Sequence, residues 1–277
     1  MEKSANGAKT VLITGGTSGF GLELARELLN RDCIVVVTGR KPPDLQTNEH
    51  RFSFFRVDFS SLCETSEVIR KICKYYTFDI VIDNAGVLSP PDLIITTDKL
   101  EYSFQVNFLA HLLINEMIIR NTEKEQPLTI VTITSPVYRI AGRDLIPNPS
   151  GEEYKPLKAY SRSKLYLALM CNWLPSVTKY PNLTCFGFNP GIFRSGIYRM
   201  QKPWFRFLYK IGAPLMRHPK MIAKRLADIL GNGSPVKGSI YSLKKIPEPV
   251  PTYDRTMTEL FWKDCYQNLK EYLSEGM

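Results

Sequence analysis

The sequence predicts an α/β fold, a single doubly wound parallel sheet with helices on both faces. Two observations carry this. Short, wholly apolar, strand-like runs alternate with stretches of helical spacing along the 277 residues, and strands buried on both faces read as continuous hydrophobic runs. The motifs that bear chemistry also fall just after a strand or on the helix that follows it. Sheets of this kind hold their ligands there, at the carboxyl ends of the strands.

In order, 11–14 reads as a strand and 22–30 as a helix. Residues 34–38 and 52–57 are strand-like, 65–73 has helical spacing, and 80–83 is an apolar strand. Residues 100–120 read as one long helix, 128–134 as a β-branched strand, 159–174 as a helix and 183–188 as a further strand. The Pro- and Gly-rich stretch 146–156 is a loop. No repeat and no low-complexity linker divides the chain, so 1–277 reads as one domain. Residues 192–220 are a long excursion of the kind that covers a site.

Composition narrows the classes. With 44% hydrophobic residues the chain can bury a large core. Neither a signal peptide nor an apolar run of about 18 residues is present, which predicts a cytoplasmic protein. Cys33, Cys63, Cys73, Cys171, Cys185 and Cys265 form no CxxC pair and read as reduced thiols of a cytosol-facing compartment. His50, His111 and His218 lack metal-ligand spacing, so no metal is expected. The net charge is +9, and 155–225 holds fourteen Lys or Arg and no acid. That stretch is a solvated basic face, a contact for an anionic membrane surface, or a contact for an acidic substrate. No recognition motif accompanies it, so nucleic acid is not expected as a partner.

The run VLITGGTSGFGLELAREL is strand, glycine turn, helix. Gly15, Gly19 and Gly21 allow a tight turn, close approach of the backbone to a pyrophosphate and close helix packing; Thr17, Ser18 and Phe20 stand between them. The helix start then offers N–H groups to phosphates. The next strand ends VVVTGRKPP, with Arg40 and Lys41 where an NAD site needs a carboxylate. Such cations pair a 2′-phosphate, which predicts NADP(H). Asp58 ends the third strand, where its carboxylate can hold adenine. In DNAG, 83–86, Asn84 braces the loop and Gly86 lets the cofactor approach.

These segments, with VN at 106–107, TS at 134–135, YSRSK at 160–164 and NPG at 189–191, resemble a short-chain dehydrogenase/reductase of the classical type. The resemblance implies a Rossmann-type fold and covers nearly the whole chain. It is nearest the retinol dehydrogenase-like branch: 25 positions separate Ser135 from Tyr160, NPGIFRSGI resembles that branch's HPG segment, and LFW resembles its tail. The N-terminal membrane anchor common in the branch is not seen here. Asp83, Pro136, Gly16 and Asn189 depart from the family pattern, and none removes a catalytic group.

Tyr160 and Lys164 lie one turn apart on one helix face. A free tyrosine titrates near pH 10. An ammonium about 4 Å away contributes up to about 4 kcal/mol at an effective dielectric of 20, or up to about three pH units. Ser135 can hold a substrate carbonyl beside Tyr160. By resemblance, Asn107 helps to hold Lys164 and a relay water, and Lys164 fixes the nicotinamide ribose. Pro190, Gly191 and Ile192 would line the nicotinamide, and Ser195 would reach its amide or the phosphates.

Residues 202–220 mix aromatics with cations. They read as a lid over a hydrophobic substrate and are compatible with peripheral membrane contact. The expected activity is NADP(H)-dependent interconversion of a lipophilic alcohol and its aldehyde or ketone, a retinoid, steroid or long-chain carbonyl. The alternatives are a biosynthetic ketoreductase acting on an anionic or carrier-linked substrate, and a low-turnover NADPH or lipid sensor. The resemblance further implies a homo-oligomer.

Overall fold

The computed structural model describes residues 7–45, 49–146, 154–194, 196–204, 216–233, 235–244 and 246–274. The strands are β1 (Thr10–Thr14), β2 (Ile34–Gly39), β3 (Phe52–Arg56), β4 (Ile80–Asp83), β5 (Leu128–Ile133), β6 (Leu183–Asn189), β7 (Ser239–Ser242) and β8 (Glu248–Pro249). They form one sheet in the order β3-β2-β1-β4-β5-β6-β7-β8. Every neighbouring pair is parallel except β7 with β8. The helical segments are α1 (Gly19–Leu29), α2 (Leu62–Cys73), α3 (Tyr102–Phe104), α4 (Ala110–Asn121), α5 (Pro156–Val177), α6 (Pro219–Gly231) and α7 (Arg255–Ser274).

Alternation along each strand feeds two cores. Val11, Ile13, Val35, Val37, Ile80, Ile82, Val131 and Ile133 pack with α1 and α6. Leu12, Val36, Val81 and Ile130 pack with α2, α4 and α5. The central strands are therefore apolar on both faces over most of their length, and the doubly wound architecture holds as expected from the sequence. Strand order reverses between β1 and β4, which opens a crevice at their carboxyl ends.

α7 makes a further layer over α4 and α5. Phe261 lies 4.5 Å from Tyr166, centroid to centroid, and Trp262 stacks on Trp173 at 5.0 Å with planes 8° apart. Covered by the sheet on one side and by α7 on the other, α4 and α5 have no wide polar face, and every residue from Ala110 to Ile119 is buried.

The boundaries differ from expectation for local reasons. α1 starts at Gly19, inside the glycine turn, and α2 starts at Leu62 because the Ser61 hydroxyl accepts from the Glu64 N–H at 3.1 Å. The long helix expected over 100–120 is broken into α3, a π-helical turn at Gln105–Leu109 and α4. Glu101 caps its start, accepting from Ser103 N–H at 2.9 Å and Phe104 N–H at 2.6 Å. α6, β7, β8 and α7 lie beyond the last strand read from the sequence.

Candidate active site

The glycine turn after β1 is shaped by contacts that leave no room for side chains. Gly15 has φ +63°, and a Cβ there would lie 2.9 Å from the Ala85 Cα. A Cβ at Gly21 would lie 2.6 Å from the Gly15 carbonyl oxygen and closer still to the Asn84 amide. Gly19 has φ +56° and open space before it. That space lies at the N-terminus of α1, where backbone N–H groups have no intrahelical partner. The turn thus fits a dinucleotide's phosphates. Phe20 turns inward and stacks on Phe188 at 6.2 Å, fixing α1 against β6.

The ends of β1 and β4 are tied together. Asn84 donates from its amide to the carbonyls of Thr14 (2.8 Å) and Gly15 (3.1 Å). The Thr14 hydroxyl accepts from the Asn84 and Ala85 N–H groups at 2.9 and 3.0 Å. It also meets His111 Nε2 at 2.9 Å, while His111 Nδ1 lies 2.9 Å from the Asn107 carbonyl. A carbonyl only accepts, so Nδ1 carries the hydrogen and Nε2 accepts from Thr14. Burial pushes His111 down to about 3, with Lys164 adding to it, so the ring is neutral. Its role is to join the cofactor strand to the π-helical turn.

Asn107 sits in that turn. Its side-chain oxygen accepts from the Val87 N–H at 2.7 Å, and its amide donates to the Val87 carbonyl and to the Ser163 hydroxyl, both at 2.9 Å. The side chain clamps the loop after β4 to α5. π-helical turns recur at functional sites because they displace one backbone carbonyl from the helix ladder.

Tyr160 and Lys164 both line one cavity of about 1050 Å³ with Ser135, Gly86 and the glycine turn. Lys164 Nζ donates to the Ile133 carbonyl at 2.9 Å and lies 6.0 Å from the centre of the Tyr160 ring. A Cβ on Gly86 would sit 3.3 Å from both Lys164 Nζ and Asn107 Oδ1, so glycine keeps the approach to the lysine open. Burial pushes Lys164 down to about 8, and Asp83 opposes this. Asp83 is pushed up to about 8 by burial, against a 2.7 Å hydrogen bond from Asn115 and the pull of Lys164.

The other expected residues fall as follows. Thr17, Ser18, Arg40, Lys41, Asp58, Asn84, Pro190, Gly191 and Ile192 all line the same cavity. Asp58 Oδ1 is engaged by the Ser60 N–H (3.0 Å) and hydroxyl (2.8 Å), so adenine is left to its other oxygen. Ser195 lies outside the described residues, as do 205–215 of the expected covering segment. Two contributors were missed. Arg56 ends β3 in register with Gly39 and lines the cavity with Arg40, and Tyr102 lines it too. Arg56 was legible near the end of the predicted strand 52–57 that follows Arg40's strand; Tyr102 reaches the site only through the fold. Burial pushes the Tyr102 hydroxyl up, Asp58 adds to this, and Arg40 pulls it down.

Val137, Leu157, Ile197 and Met200 add apolar side chains to the cavity wall. Among the described residues, no cluster of side chains fits a metal ion and no helix is long and apolar enough to cross a membrane.

Residues 9–204 match the family profile described as short chain dehydrogenase. A polyprenol dehydrogenase of Danio rerio is 24% identical over 279 residues, covering 92% of this chain and 85% of that protein. Retinol dehydrogenase 13 of Mus musculus is 28% identical over 235 residues, covering 76% of this chain and 69% of the relative. Among solved structures, an uncharacterized protein from Mycobacterium Paratuberculosis superimposes with a TM-score of 0.69 at 20% identity, over 95% of this chain and 93% of the other, a likeness of fold. The chain belongs to the short-chain dehydrogenase family of NAD(P)(H)-using oxidoreductases that act on CH–OH groups, and it is similar to that family's retinol dehydrogenases.

Proposed function

We propose that the protein is an NADP(H)-dependent oxidoreductase that interconverts a lipophilic alcohol and its aldehyde or ketone. The observation that carries this is one continuous cavity that draws cations from one side of the sheet and apolar side chains from the other. Arg40 and Lys41 follow β2 and Arg56 ends β3, whereas Val137 follows β5 and Ile197 and Met200 follow β6; Ser135, Tyr160 and Lys164 line the same cavity. The cationic side suits a 2′-phosphate and the apolar side a lipophilic chain. The relatives named above take their names from retinol and polyprenol, both apolar alcohols.

The glycine turn and the start of α1 hold the pyrophosphate, Arg40 with Arg56 the 2′-phosphate, and Lys164 the nicotinamide ribose. When bound, the cofactor supplies or accepts the hydride. Ser135 donates a hydrogen bond to the substrate oxygen and orients it towards Tyr160. In reduction the Tyr160 hydroxyl gives its proton to that oxygen; in oxidation the phenolate takes it. The Lys164 ammonium favours the phenolate by charge. Asn107 holds the loop that shapes the floor of the site. The reading takes the chain as one catalytic domain with 192–220 covering the substrate.

Purified protein, followed by nicotinamide absorbance with retinal, a ketosteroid, a long aliphatic aldehyde and a polar carbonyl, tests the proposal. NADPH should be consumed well ahead of NADH, on an apolar carbonyl. Tyr160→Phe should lower kcat by about 10²–10⁴-fold and leave NADPH affinity intact. Equal turnover by Tyr160→Phe, or preference for NADH, would overturn it.

A further inference from the structure

Asp83 is an acid that the proposed mechanism does not use. Val81 packs on the α4–α5 side of the sheet and Ile82 on the other, so alternation sends the Asp83 side chain towards α4 and α5. There it is fully buried. Asn115 of α4 donates to its Oδ2 at 2.7 Å. Asp83 Oδ1 and Asn115 Oδ1 are both buried with no hydrogen-bond partner. A carboxylate held by one amide is a costly thing to bury unless a charge answers it.

The charge is Lys164 of α5: its Nζ donates at 2.9 Å to the carbonyl of Ile133, the residue after Thr132, which pairs with Asp83 across β4 and β5, and each of the two charges favours the other. The neighbouring titratable groups do not compete. His111 of α4 is neutral. Cys185 of β6, against Cys171 of α5, is held as a thiol by burial, by Cys171 and by Asp83. Tyr160 lies one turn before Lys164 on the cavity side.

We propose that Asp83, steered by Asn115, is a positioning residue for Lys164: a carboxyl group buried behind the lysine that keeps its side chain charged. This rests on Tyr160 and Lys164 being the proton-transfer pair. With Asp83 present, the first proton lost by the buried pair can leave the carboxyl, and the carboxylate so formed favours the Lys164 ammonium. With an amide at position 83, that proton must leave Lys164 instead. The lysine then becomes a neutral amine at lower pH, and Tyr160 loses the cation that favours its phenolate.

Asp83→Asn preserves shape and the contact with Asn115. The measurements are kcat/KM for carbonyl reduction between pH 6 and 10, and NADPH affinity by fluorescence over the same range. In Asp83→Asn the alkaline limb should move about one pH unit towards acid, and NADPH affinity at the alkaline end should fall about tenfold. Asn115→Ala should move the limb the same way by less. Wild-type profiles in both variants, with Lys164→Met inactive, would overturn this proposal and leave the proton-transfer reading standing. A fully active Lys164→Met would overturn that reading itself. If Asp83→Asn does not fold, the Asn115→Ala profile decides, and its coincidence with wild type counts against the proposal.

Discussion

Arg40 follows β2 with its guanidinium near enough to pull on the Tyr102 hydroxyl and with Arg56 in the same wall. A hydrogen bond to a charged partner contributes about 1.5–3 kcal/mol. Arg40→Ala should therefore lower kcat/KM for NADPH by about 10–100-fold and leave that for NADH nearly unchanged; equal losses for both would remove the case for a 2′-phosphate site. Three departures from the family pattern have local causes. A Cβ on Gly16 would meet the Val37 Cγ1 at 2.6 Å, so glycine fits this packing. Pro136 occupies the first position of a 3₁₀ turn, where its missing N–H is not needed. Asn189 folds back to accept from the Gly191 N–H at 3.0 Å, which sets the turn that Gly191 completes with φ +72°.

The elements that carry the site were legible because the central strands are largely apolar on both faces and each motif lies just after a strand or on a helix that follows one. The π-helical turn at Asn107 was not legible, since a single displaced carbonyl leaves the helical spacing almost unaltered. α7 was marked only by its LFW tripeptide. Its sequence is mostly polar, and four buried side chains, Phe261, Trp262, Cys265 and Leu269, carry the packing. They are apolar towards α4 and α5 but follow no strand and precede no motif. Trp262 is about 1% exposed and stacked on Trp173. Trp262→Ala should cost about 3–5 kcal/mol in a denaturant titration, and a loss below about 1 kcal/mol would mean that α7 packs loosely.

For the molecule as a whole, Asp83 and Lys164 set opposite arms of a pH profile of stability. Asp83 titrates higher folded, near 8, than a carboxylate does unfolded, near 4. Its contribution is full below about pH 4 and is lost as pH rises towards 8. Lys164 titrates lower folded, near 8, than unfolded, near 10.4. Its contribution is full above that value and is lost as pH falls towards 8. Calorimetry should then show a Tm minimum near pH 8, and Asp83→Asn should flatten the acid arm and raise stability at pH 8. Parallel curves for the two proteins would sink this account. A group that serves the site would thus be one the fold is more stable without.

The layer made by α7 has a kinetic side. Its polar contacts join residues far apart in the chain: Tyr266 donates to Glu116 across 150 positions, Tyr272 to Asp98 across 174, and Arg70 to the Tyr272 carbonyl across 202. Loop closure of that length is won late in folding, after the local βαβ pairings have formed. Interactions made after the rate-limiting step leave the folding rate alone and govern how fast the native state opens. α7 then acts as a latch on the lifetime of the folded enzyme, and its aromatic contacts are where that lifetime can be lengthened or shortened without retiming folding.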